Sequence, residues 1–146
     1  MNVMPGDRAA VYLNALGVLN ALGCGRGEVL AALRGGRAPG MRPESGWISG
    51  RDVHVGAVDA ALPPWPESLA PFRSRNNRLL AAAAAQIDDE IEAARRRYGA
   101  GRLGLVLGSS TSGIAEGEAA VAEHARSGAA PPWFDYRQQE IASPSE

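Results

Sequence analysis

The chain has 146 residues, 45% of them hydrophobic and 21% charged, with a formal net charge of -1. That length suits one domain with its own core, and the near-neutral charge gives no global attraction for nucleic acid or an acidic membrane surface. All 15 basic residues are arginine, which excludes lysine chemistry (Schiff base or P-loop) from this polypeptide, and the single cysteine, Cys24, excludes an internal disulfide and suits a reducing, cytoplasmic compartment.

No run of ~18 apolar residues is present to span a bilayer, and Met1 to Arg8 lacks the basic-then-apolar pattern of a secretory signal. Val11 to Leu16 is a short apolar run closed by Gly17 and predicts a strand. Val18 to Gly23 continues apolar into a glycine-punctuated turn, Gly23-Cys24-Gly25-Arg26-Gly27. Helical spacing of Val29, Leu30 and Leu33 predicts a helix over Glu28 to Arg34, stopped by Gly35-Gly36. Residues 35 to 46, rich in Gly and Pro, read as loop. Partial alternation over Ile48 to Val58 predicts a strand with Val53, Val55 and Ala57 on one side. Leu62 to Pro71 is proline-rich and irregular.

Ser74 or Asn76 can cap a long helix from Asn77 to Tyr98, whose stripe of Leu80, Ala84, Ile87, Ile91, Ala94 and Tyr98 steps by four and three. Its acids (Asp88, Asp89, Glu90, Glu92) precede its bases (Arg95, Arg96, Arg97), which suits the helix dipole, and Glu92 reaches Arg96 at i+4. This is a solvated face first and a recognition surface second. Gly99 ends the helix. Leu103 to Leu107 then predicts a buried strand that drives into a small-residue loop, Gly108 to Gly113, before a helix over Ile114 to Arg126 with Gly113 at its N-cap and Glu116 in its first turn. Gly128 to Pro132 breaks that helix, and Trp133 to Ile141 is aromatic, then polar. Trp65, Trp133, Phe134 and Tyr136 lie in irregular segments, where aromatics pin loops or form interfaces. The last residues, Ser143-Pro144-Ser145-Glu146, read as a helix opening: Ser143 suits the N-cap, Pro144 the first position and Glu146 a capping box. A chain that ends on such a signal is expected to continue. Strands alternating with helices predict an α/β layered fold.

Three motifs fail on context. Gly99 to Gly104 matches G-x-G-x-x-G, but it follows a helix and precedes a strand, the reverse of a dinucleotide fingerprint, so it reads as a helix C-cap and turn. Gly108 to Gly113 has P-loop glycine spacing, yet Ile114 and Ala115 stand where Lys and Ser/Thr are required. G-x-S-x-G is not met there either. The loop's hydroxyls can satisfy the following helix N-terminus; alternatively, the loop lines a substrate channel. His54 and His124 have no partners at metal-ligand spacing. Cys24, in a glycine turn before a helix, is a nucleophile candidate on dipole grounds and a small turn residue otherwise.

The order of elements carries a resemblance. Asn14 to Gly23 (N-A-L-G with a following L-G turn), Leu30 to Gly36 (L-x-x-L-R-G-G), the Ala-rich helix opening S-R-N-N at Ser74 to Asn77, and the strand running into G-S-S-T-S-G-I resemble the N-terminal part of β-ketoacyl-acyl carrier protein synthases, condensing enzymes of the thiolase superfamily. Tyr136 to Glu140 (YRQQE) and the S-P-S-E end look most like ketosynthases of bacterial polyene and fatty acid pathways.

The resemblance implies the N-terminal portion of a layered αβαβα fold over residues 1-146, cut before the nucleophile cysteine. It implies decarboxylative Claisen condensation of an acyl thioester with malonyl-carrier protein, with no cofactor and no metal. Its partners would be acyl carrier protein and, in the full-length protein, either a second copy or a ketosynthase/chain-length-factor pairing; it implies neither nucleic acid nor membrane. The family's cysteine lies downstream of the segment resembled by Ile141 to Glu146 and its histidines lie further still, so no catalytic residue carries over; Cys24 does not correspond to the nucleophile. What carries over is a substrate-binding loop, Gly108, Ser110, Thr111, Ser112 and Gly113, near the acyl pocket and dimer interface, with Thr111 resembling the pocket-gating position. The chain alone is then expected to be inactive and poorly stable, its sheet edges and apolar faces uncovered. Two other readings stand beside this one: a non-catalytic, chain-length-factor-like partner, and an independent small α/β binding module, which would be monodisperse with a cooperative melt.

Overall fold

The computed structural model describes residues 10–145. Residues 11 to 16, predicted as a strand, form no ladder with any described residue, and Val11 and Leu13 stand almost fully exposed. The correction has a plain cause: an apolar run becomes a strand only when another strand satisfies its backbone. Pairing begins just after it. β1 (Leu19–Asn20) and β2 (Gly23–Cys24) form a tight antiparallel hairpin, with Asn20 against Gly23. The Asn20 side chain accepts from the Leu22 N–H at 2.8 Å and holds the turn.

Helix α1 (Arg26–Arg34) follows, two residues longer at its start than its apolar spacing predicts, and stops at Gly35. Residues 35 to 46, read as loop, hold the first half of a strand. β3 (Met41–Ile48) pairs antiparallel with β4 (Arg51–Gly56), Met41 opposite Gly56 and Ile48 opposite Arg51. The predicted strand over 48–58 thus straddles a hairpin turn. Gly46 and Gly50 take positive φ (91° and 77°), supplying the bulge and the turn. Pro43 is tolerated because a two-stranded ribbon leaves an open edge on which a missing N–H costs nothing. The two hairpins join at Gly40, whose N–H donates to Ala21 O while its carbonyl accepts from Ala57 N, both 2.8 Å.

The predicted long helix is two. Helix α2 (Arg75–Ala84) leads through a 3-10 turn, Ala85–Ile87, into α3 (Asp88–Tyr98). Ile87 (φ -126°, ψ 20°) marks the break. Beside it the Gln86 amide pairs with both backbone groups of Val18, donating to its carbonyl and accepting from its N–H at 3.0 Å each. A run of five alanines leading into this point offers little side-chain packing to keep the helix continuous. Ser74 is the N-cap, accepting from the Asn77 N–H at 3.1 Å. On the solvated face of α3, Glu92 pairs with Arg95 at 3.3 Å rather than with Arg96.

Leu103 to Leu107 is the second correction. It makes no ladder among the described residues, and Leu105 and Val106 are 73% and 95% exposed rather than buried. Helix α4 (Ile114–Ser127) starts at the predicted Gly113 cap and ends at left-handed Gly128. No helix among the described residues is long and apolar enough to cross a membrane.

The packing is unusual. Apart from Pro131, only Ala32 and Ala120 are buried apolar residues among those described. The chain exposes 11273 Å², against about 7100 Å² for a compact monomer of its mass. Apolar faces that a closed domain would cover are open to solvent.

Candidate functional site

The loop Gly108 to Gly113 is fixed from behind. Ser109 Oγ accepts from the Ser112 N–H at 3.0 Å, and Ser112 Oγ donates to the Glu140 carbonyl at 2.7 Å. Ser112 carries φ 43°, the one positive φ at a non-glycine residue among those described. Gly113 has no room for a Cβ, which would fall on the Gln138 carbonyl and against Ser74 Cβ. One turn on, Gly117 abuts the Gln139 side chain. Of the five residues expected to bind substrate, Ser112 and Gly113 are therefore buried and hold the loop, while Gly108, Ser110 and Thr111 form its exposed crest.

The segment that grips the loop runs from Trp133 to Ser145. Trp133 Nε1 donates to Glu123 Oε2 at 3.0 Å, anchoring one end to α4. Asp135 takes two guanidinium bonds from Arg137 (2.9 and 2.7 Å) and the Arg137 backbone N–H (3.0 Å). These, the side-chain bonds first, pull its carboxyl down to about 2. The Arg137 guanidinium also lies 5.4 Å from the Phe72 ring centroid. At the far end, Asn77 Nδ2 donates to Ser143 Oγ at 2.7 Å and to the Phe72 carbonyl at 2.8 Å. Arg75 N donates to Glu116 Oε1 at 2.7 Å, so the starts of α2 and α4 are tied directly.

Every buried polar residue among those described sits in this junction: Ser74, Asn77, Ser112, Gln138 and Ser143. A polar cluster this well buried, where few of the described residues are buried and apolar, concentrates structural specificity in one place. Nothing in the sequence pointed to Asn77, Gln138 or Ser143 as a group. Asn77 and Ser143 are 66 residues apart, and Ser143 read as a helix cap, whereas it sits buried in a single 3-10 turn, Ser143–Ser145.

An apolar cleft opens beside the loop. A cavity of about 310 Å³ is lined by Leu80, Ala81 and Ala84 of α2, by Leu105 and Leu107, and by Trp65, Leu69 and Phe72, with Pro144 at its edge. Trp65 is pinned by donation to the Leu69 carbonyl at 2.6 Å, the loop-pinning role expected of it. A second cavity of about 160 Å³ shares Leu80, Leu107 and Pro144 and reaches Gly108 and Ser109. No ionisable residue lines either. The cleft suits an apolar chain, its polar side chains being Asn76, Asn77, Ser109 and Ser143.

Cys24 lies elsewhere, exposed in β2. Its own N–H donates to Glu28 Oε2 at 2.8 Å, and it shares a 450 Å³ cavity with Glu28 and Asp59. Neither histidine nor arginine lines that cavity, so no imidazole base stands beside the thiol there. Gly99 to Gly104 forms the C-cap of α3 and one 3-10 turn, Ala100–Arg102, as its context required.

No family model matches the chain, and no curated protein matches it. A solved structure does: the ketosynthase ApeO in complex with its chain length factor ApeC, from Xenorhabdus doucetiae. The match has 40% sequence identity and a TM-score of 0.84 over 92% of this chain. The chain spans about a third (34%) of the length of the chain it matches. Over that match this polypeptide is ketosynthase-like and carries part of a thiolase-type α/β fold.

Proposed function

We propose that this chain is the N-terminal part of a β-ketoacyl-acyl carrier protein synthase of fatty acid or polyene biosynthesis. The observation that carries the reading is the 40% identity to the ketosynthase complex over nearly the whole chain. The open face supports it: Leu105 and Val106 stand in water where a strand of a layered sheet would be covered on both sides.

In the reaction, a cysteine thiolate outside this chain attacks an acyl thioester, takes the acyl group and releases the carrier thiol. Malonyl-carrier protein loses CO2, and the resulting carbanion attacks the acyl-enzyme carbonyl. The cysteine thiolate leaves, and the carrier protein departs with a 3-ketoacyl chain. This chain supplies the loop Gly108, Ser110, Thr111, Ser112 and Gly113 beside the acyl site, with Thr111 on its crest as the gate. It contributes no catalytic residue and is inactive alone. Acyl carrier protein is the partner that delivers substrate, and the intact protein works as a homodimer or as a ketosynthase/chain-length-factor pair.

Incubating the intact protein with acyl- and malonyl-carrier proteins, followed by mass spectrometry, tests this. A 3-ketoacyl carrier protein supports it; absence of any longer chain, with a competent partner subunit present, counts against it. The second reading, a non-catalytic chain-length-factor-like subunit, is favoured by the matched structure holding both kinds of subunit. It predicts that condensation requires this protein yet persists when its own thiols are alkylated beforehand.

A further inference from the structure

We propose that Ser112 and Asn77 are positioning residues for the acyl-thioester site, acting through a polar lock that sets where the Ser110–Thr111 crest stands. The inference rests on the ketosynthase reading and adds to it a mechanism for aiming the loop.

The geometry has two tethers. The Ser112 hydroxyl donates to the Glu140 carbonyl at 2.7 Å, and Asn77 Nδ2 donates to Ser143 Oγ at 2.7 Å. Together they fix both flanks of a turn, Glu140 to Ser143, whose Ile141 forms a wall of the cavity opposite Gly108 and Ser109. The loop's own end is closely packed, since a Cβ on Gly113 would fall on the Gln138 carbonyl. Loop and turn therefore move together or not at all, and the mouth of the cleft between them has a set width. Ser112 accepts a left-handed φ of 43° to make its bond, a conformation that disfavours side chains and persists where surrounding contacts over-determine it. A serine at this φ whose hydroxyl spans 28 residues is tied to the position of the loop, not merely to a local turn.

The strain allows a clean test. In Ser112→Gly the backbone reaches the same conformation freely, so the fold is retained while the tether is lost. In the intact protein we expect amide exchange over residues 109–113 to accelerate about five- to ten-fold, the loss of one part-buried hydrogen bond. KM for acyl-carrier protein should rise and the product chain-length distribution broaden, with the melting temperature little changed. Ser143→Ala, which removes the acceptor of the Asn77 tether without adding a charge, should shift the same distribution. If wild-type protein condenses and Ser112→Gly leaves both exchange and products unchanged, the positioning inference is wrong. If Ser112→Gly lowers the melting temperature with products unchanged, the role is structural and the inference is likewise overturned. If the wild type forms no carbon–carbon bond with any partner, the ketosynthase reading itself falls.

Discussion

Asn77 offers the most exacting test of the packing described above. Its side chain is 3% exposed and gives two short bonds, to the Phe72 carbonyl and to Ser143 Oγ. Asn77→Ala removes both donors. Each bond contributes about 0.5–1.5 kcal/mol net, and a carbonyl stranded in a dry site costs about 1–3 kcal/mol. The bond to the Phe72 carbonyl is only part-buried, so water offsets some of that cost and the expected loss is about 1–3 kcal/mol in the intact protein. Equilibrium urea unfolding reads the change as a shift in midpoint at constant slope. Asn76→Ala is the neighbouring control. Its amide makes only a 3.5 Å contact with Asn77 Oδ1, and its loss should stay within about 0.5 kcal/mol. The double variant with Ser143→Ala should be less destabilised than the sum of the singles, by about 0.5–1.5 kcal/mol. A loss below about 0.5 kcal/mol for Asn77→Ala, or strict additivity with Ser143→Ala, would refute the claim that this junction organises the chain.

Other outcomes follow from single contacts. Gly113→Ala should destabilise by about 1–3 kcal/mol in thermal melts, because backbone and Ser74 Cβ block the new methyl. Gly117→Ala should cost much less, since the flexible Gln139 side chain can shift and alanine gains up to about 1 kcal/mol of helix propensity. Asp135 titrates near 2 instead of 3.8, so its contribution is complete above the ordinary value and fades as pH falls toward 2. The stability gap between wild type and Asp135→Asn should therefore be flat at neutral pH and shrink across that acid window; a gap that widens there contradicts the Arg137 pairing. Thr111→Phe on the exposed crest should shorten the acyl chains made by the intact protein, and an unchanged product profile would remove Thr111 from the gate. The isolated chain, with about 4000 Å² more surface than a compact monomer, should bind a hydrophobic dye and melt without cooperativity; a sharp, dye-free melt would favour a self-sufficient module.

Helix starts and stops were legible because their signals are local. Ser74, Gly113, Gly35 and Gly99 act within a few residues, and each stands where the sequence placed it. The break at Ile87 was hidden: the apolar stripe runs through it, and the competing pull is the Gln86 pairing with Val18, 68 residues away. Strands fared worse for the same reason. Leu103 to Leu107 has the composition of a buried strand, but a strand's hydrogen bonds belong to its neighbours, and none of the described residues supplies them. β3 was disguised by Gly40, Pro43 and Gly46, which an open-edged hairpin accommodates and a central strand would not. At the candidate site the loop was legible, while the Asn77–Ser143 and Ser112–Glu140 bonds were not, since each joins positions with no common periodicity.

On the proposed reading, this chain shapes and supports a condensing site whose nucleophile lies elsewhere in the protein. Trapping the acyl-enzyme tests it most directly: intact protein, acyl-carrier protein, no malonyl donor, then peptide mass spectrometry of every cysteine. The account predicts a thioester on a cysteine outside residues 1–146 and an unmodified Cys24. Acyl transfer onto Cys24, with condensation lost in Cys24→Ser, would contradict it.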